Sequence, residues 1–142
     1  MFKMNTMKWS ILLLAVGLSM SACADEGPPT FLSATHLSNS TSDIGPYIIY
    51  ADVVDDVEVT GVELRYKVDE DEWVLSDMEP QNDAVWIGRI PGQSFGSIVR
   101  YQLVARDEDG NEAAYPPLPE SETEDQAASP AVLTFSVVEP GS

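Results

Sequence analysis

The sequence predicts an all-β fold, a sandwich of seven antiparallel strands behind a cleaved signal peptide. Three observations carry that expectation. From Phe31 onward apolar residues recur at every second position, no window of about twelve residues carries a helical stripe, and turn-forming residues cut the pattern into short runs. About seven strands in about 110 residues is the count that a two-sheet sandwich needs.

Residues 1–22 read as a secretory signal. Lys3 and Lys8 supply a basic start, Ile11 to Leu18 a short apolar stretch, and Ser21 and Ala22 the small residues before Cys23. A membrane-spanning helix needs about 20 apolar residues, and this stretch is shorter. Residues 23–30 are polar and carry Pro28 and Pro29. Seven steps of about 3.5 Å let them reach about 25 Å at most, so they form a short tether.

The domain is expected over 31–138. Its strands in order are A (31–37), B (47–54), C (60–68), C′ (72–76), E (84–90), F (97–106) and G (131–138). In B, Tyr47, Ile49, Ala51 and Val53 alternate with Ile48, Tyr50 and Asp52. In C, the clearest of the set, Val62, Leu64, Tyr66 and Val68 alternate with Glu63, Arg65 and Lys67. In F, Val99, Tyr101, Leu103 and Ala105 alternate with Arg100, Gln102, Val104 and Arg106. A, C′, E and G are weaker runs. Gly45 and Pro46, the acidic 69–72, Pro91 and Gly92, and Asp109, Gly110 and Asn111 mark the turns. Residues 112–130 join several prolines to the acidic 120–126, a composition that buries little surface and is expected to be a mobile insert. A tail, 139–142, follows.

Charge narrows the partners. Removing the signal leaves Arg65, Lys67, Arg89, Arg100 and Arg106 against 24 carboxylates. Such a surface repels nucleic-acid phosphates and anionic lipid headgroups alike, so no nucleic-acid partner is expected. With one cysteine, no disulfide can form within the chain. An unpaired cysteine in an exported protein calls for an explanation of its own.

Candidate chemistry is sparse, and the chain is expected not to be an enzyme. The one histidine, His36, lies in the presumed edge strand A, where solvation is its ordinary fate; no Gly-x-Ser-x-Gly elbow accompanies it. Zinc needs several His or Cys ligands. With 24 carboxylates, some pair always lies at a glycosidase spacing, so that pattern carries no information. Calcium is the sharper candidate. In this strand order the B–C, C′–E and F–G connections gather at one end, with carboxylates on each, whereas 91–97 at the opposite end has none. Asp55, Asp56, Asp107 and Asp109 are the expected ligands, since calcium takes about six to eight oxygens. The competing reading makes these residues ordinary solvated turns, because Asp and Gly are what a tight turn demands. Exposed aromatics are a further candidate: Tyr50 and Trp73 could stack on a carbohydrate, or Trp73 and Trp86 could fill the core. An open sheet edge or the 112–130 segment could equally receive a protein partner.

Two resemblances add to this. The run ending at Cys23 resembles the lipobox of bacterial lipoproteins, with Met20 at the position where Leu is usual. That resemblance implies that Cys23 becomes the first mature residue and carries the lipid, anchoring the chain to the membrane. Ala24 follows the cysteine, and similarity to the sorting rule of Gram-negative lipoproteins then implies the outer membrane before the inner. Beyond the signal, the alternations at 47–53 and 62–68, Trp73, Met78, the segment from Trp86 to Gly92 and that from Val99 to Asn111 resemble bacterial fibronectin type III-like and Ig-like modules of exported proteins. This resemblance covers about residues 30–138 and implies a structural tyrosine corner at Tyr101. Together the readings give a membrane-anchored, non-catalytic envelope lipoprotein with an unidentified protein partner. The alternative is a calcium-binding adhesion module.

Overall fold

The computed structural model describes residues 27–117 and 131–141. Among them lie nine strands: β1 (Thr30–Ala34), β2 (Tyr47–Val54), β3 (Val59–Val68), β4 (Val74–Asp77), β5 (Glu79–Pro80), β6 (Val85–Ile90), β7 (Ile98–Asp107), β8 (Glu112–Tyr115) and β9 (Leu133–Ser136). Residues 1–22, expected as a signal, Cys23 and the acidic 120–126 fall outside the described residues.

Two antiparallel sheets form the sandwich. One has the order β1-β2-β6-β5; in the other β4-β3-β7 is flanked by β8, and β9 also pairs with β7. Alternation decides which side chains face inward. β2 contributes Tyr47, Ile49, Ala51 and Val53, β3 Val62, Leu64 and Tyr66, and β7 Val99, Tyr101, Leu103 and Ala105, all buried. Phe135 of β9 sits among them, its ring 5.0 Å from that of Tyr47 and 6.2 Å from that of Tyr101, both edge-on. Each buried Val, Leu, Ile or Phe side chain among these contributes about 1.5–3 kcal/mol by leaving water. The outward positions of β3 and β7 carry most of the basic residues. Glu63 there pairs with Arg65 and Arg106, and Glu70 with Lys67 and Arg100.

The all-β sandwich is as expected, but the strand count is nine among the described residues where seven were expected. β1 stops at Ala34, short of residue 37: the Thr35 N–H still donates to the Tyr50 carbonyl of β2, but the Thr35 carbonyl and the Leu37 N–H turn to the Tyr101 hydroxyl instead. β5 is a two-residue addition beside Trp86 and Ile87. β8 arises inside the segment expected as insert. Its Glu-Ala-Ala-Tyr sequence has little β-propensity of its own; the open edge of β7 supplies its partners, and an Arg106–Glu112 ion pair spans the two strands.

β8 and β9 together occupy the place of a single strand G. Leu103 of β7 faces Tyr115, and two steps along β7 Tyr101 faces Leu133. Two steps preserve the face, so Tyr115, Leu133 and Phe135 all pack on the core. The chain thus leaves the edge after Tyr115 and rejoins the same line at Leu133. Gln102, between those two partners, is buried and donates its Nε2 hydrogen to the Ala131 carbonyl at 3.5 Å.

The two ends of the sandwich differ. At one, the backbone of residues 43–45 presses on Gly92, where a β-carbon would lie 2.3 Å from the Ile44 carbonyl oxygen. At the other, β1 begins where β2 ends, Thr30 facing Val54.

Candidate functional site

The second end carries a groove of about 730 Å³ between the 55–58 and 81–84 connections. Local hydrogen bonds fix both rims. Asn82 accepts the Ala84 and Val85 N–H groups on its Oδ1, each at 2.9 Å, which sets the start of β6. The Val53 N–H donates to the Ala84 carbonyl at 2.9 Å, and Glu108 N–H to the Glu58 carbonyl at 3.0 Å, tying the groove rim to the turn after β7. Val53, Val57 and Val59 give the wall an aliphatic surface, and Asp55, Glu58 and Asp83 add three carboxylates.

Trp86 joins the groove to the core. It faces inward from β6 opposite Ala51 and is only 8 % exposed. It lines both this groove and a smaller hollow of about 260 Å³ beside Glu63, Met78 and Arg106. Its Nε1 is buried and has no hydrogen-bond partner. A buried donor left unpaired costs about 1–3 kcal/mol, so the position is strained in the chemical sense. Asp55 presents the complementary case: Oδ1 accepts the Asp56 N–H at 2.7 Å, while Oδ2 is buried and receives no donor. The adjacent Asp56 carboxyl, then burial, then the Asp107 charge push the Asp55 pKa up, outweighing the Asp56 N–H that acts the other way.

Asp55 and Asp107 are close enough to interact, as the gathering of loops at one end implies. Asp107 is used locally: Oδ1 accepts the Asp109 and Asn111 N–H groups at 2.9 Å each, and Oδ2 the Asn111 side-chain amide at 3.0 Å. Asp109 is exposed. Among the described residues no group of three or more His, Cys, Asp or Glu side chains is arranged to hold a metal ion.

His36 is exposed beyond the end of β1, with its Nε2 2.8 Å from the Tyr115 hydroxyl. Tyr101 is fully buried, and burial raises its pKa. Its hydroxyl donates to the Thr35 carbonyl at 2.7 Å and accepts the Leu37 N–H at 3.0 Å. Those partners lie in the β1–β2 connection, not a few residues upstream as in a tyrosine corner. Tyr50 and Trp73 are exposed, and the Lys67 ammonium stands 5.8 Å from the Trp73 ring centre. Sequence reasoning missed the groove role of Trp86, whose inward position in β6 reads as plain core. A tryptophan three residues after the Asp83 of a turn at Asn82 and Asp83 is the one signal that could have marked it.

No family model matches the chain, and no curated protein matches it. Among solved structures it is similar to the Br derivative of BhCBM56, a carbohydrate-binding module, with 15% identity and a TM-score of 0.41 over 63% of this chain and 78% of that one. It is similar also to the cycloalternan-degrading enzyme from Trueperella pyogenes, with 17% identity and a TM-score of 0.39, covering 58% of this chain and 13% of that enzyme.

Proposed function

We propose that the chain is a non-catalytic binding module of the bacterial envelope, held at the membrane by lipid on Cys23, with the groove beneath Trp86 as its binding site. The observation that carries the binding reading is the pairing of a pinned groove with a lining residue, Trp86, whose indole N–H is buried and partnerless. The lipobox resemblance at 20–23 supports the anchor, and Ala24 supports the outer membrane. A single acyl chain binds membranes marginally, whereas the multi-chain modification of lipoproteins anchors stably.

Palmitate labelling of the full chain in a Gram-negative host tests the anchor. The wild type is expected to take up label and sediment with outer membranes, and Cys23→Ser to lose the label and appear in the soluble fraction. A Cys23→Ser protein that still carries label, or still sediments wholly with membranes after signal cleavage, overturns the anchor.

A further inference from the structure

We infer that the groove takes a neutral polyhydroxylated ligand, a saccharide, whose hydroxyl groups accept a hydrogen bond from Trp86 Nε1 and donate one to Asp55 Oδ2. The assignment rests on the binding-module reading and names the ligand class for that site.

Two residues of the groove lining each hold a buried polar atom without a hydrogen-bond partner, one a donor and the other an acceptor. The indole N–H can only donate, and an ionised carboxylate can only accept. A ligand that satisfies both must carry acceptors and donors within one small body, and the hydroxyl group is both at once. Charge removes the other classes. Among the described residues Asp55, Glu58 and Asp83 line the groove and no Lys or Arg does, which turns away phosphate, sulfate and carboxylate ligands. The nearest hollow does hold Arg106, but Glu63 and Glu112 already pair with it. A simple polyamine would suit the carboxylates and leave Trp86 Nε1 with nothing to bond. Val57 and Val59 favour a ligand with a C–H face beside its polar edge, which a sugar ring has and a hydrated cation lacks. The volume, about 730 Å³, lies in the range of small-molecule sites and leaves room for more than one ring.

The test uses the full lipidated chain, ¹⁵N-labelled at tryptophan, in a detergent without a sugar headgroup. Signal cleavage removes Trp9, so the indole N–H resonances are those of Trp73 and Trp86. The probes are a panel of neutral oligosaccharides, a panel of uronic-acid oligosaccharides, spermidine and calcium chloride. The expected result is that one or more neutral oligosaccharides shift the Trp86 N–H resonance and leave that of Trp73 in place. Trp86→Phe, which keeps an aromatic ring but no donor, should weaken that binding about tenfold or more, whereas Trp73→Phe should not. The wild-type resonance keeps the test decisive if Trp86→Phe fails to fold. A Trp86 shift caused only by spermidine, calcium or acidic sugars overturns the saccharide class and keeps the groove as a binding site. A resonance that no probe moves overturns the groove inference and the binding reading together, and the palmitate result then stands alone.

Discussion

The Tyr101 hydroxyl is the one polar group of a fully buried ring, and it sews the β1–β2 connection to the opposite sheet. Tyr101→Phe leaves the Thr35 carbonyl and the Leu37 N–H without that partner, and the expected loss is about 1–3 kcal/mol in chemical denaturation. A variant as stable as the wild type would show that water takes over both bonds. Strand alternation already marked Tyr101 as inward. Its partners were illegible because they lie 64 and 66 residues away in the chain, and only the stacking of the sheets brings them to it. Asp55 makes a pH prediction. Its folded pKa lies above the unfolded value of 3.8, so the folded state holds the proton more tightly than the unfolded chain does. That contribution is fully present below the unfolded value and is lost as pH rises through the folded one. Asp55→Asn should therefore gain stability over the wild type between acid and neutral pH, with its Oδ1 still able to accept the Asp56 N–H. Parallel melting curves of the two proteins at every pH would refute the shift.

Among the elements, β2 has the bounds its alternation gives, and β3, β6 and β7 lie within a residue of theirs, because each has one face against the core. The edges were less legible. β5 and β8 are short, take their pairing from a neighbour, and carry no alternation strong enough to be seen alone. The register of β8 and β9 makes a sharper claim: they are one strand with a detour. Replacing 116–132 by a single residue should place Tyr115 and Leu133 two positions apart, as their partners Leu103 and Tyr101 already are. The spliced chain should keep an all-β circular dichroism spectrum. It should be as stable as the parent or up to about 2 kcal/mol more stable, since a shorter loop loses less entropy on closing. Failure to fold would mean that the two halves are not equivalent to a continuous strand.

For the molecule as a whole, charge is the legible part and the groove is the part that was not. Composition alone announces the excess of carboxylates, 24 against 7 basic residues in the full sequence, and the self-repulsion that comes with it. Raising salt from about 0.01 M to about 1 M shortens the screening length from about 30 Å to about 3 Å. The Cys23→Ser chain should then melt about 4–8 °C higher, which corresponds to about 1 kcal/mol in a domain of this size; a fall would show that the ion pairs on β3 and β7 outweigh the repulsion. The groove escaped the sequence because its lining comes from the 53–60 and 80–86 segments, which only β2–β6 pairing sets side by side. That same pairing end has a consequence for approach. Thr30 faces Val54, so the tether enters the sandwich at the mouth of the groove. On the proposed anchor, seven residue steps of at most about 25 Å separate that mouth from the lipid. Such an anchor would hold the site within reach of the bilayer surface, so that ligands borne on that surface would meet it at a high local concentration.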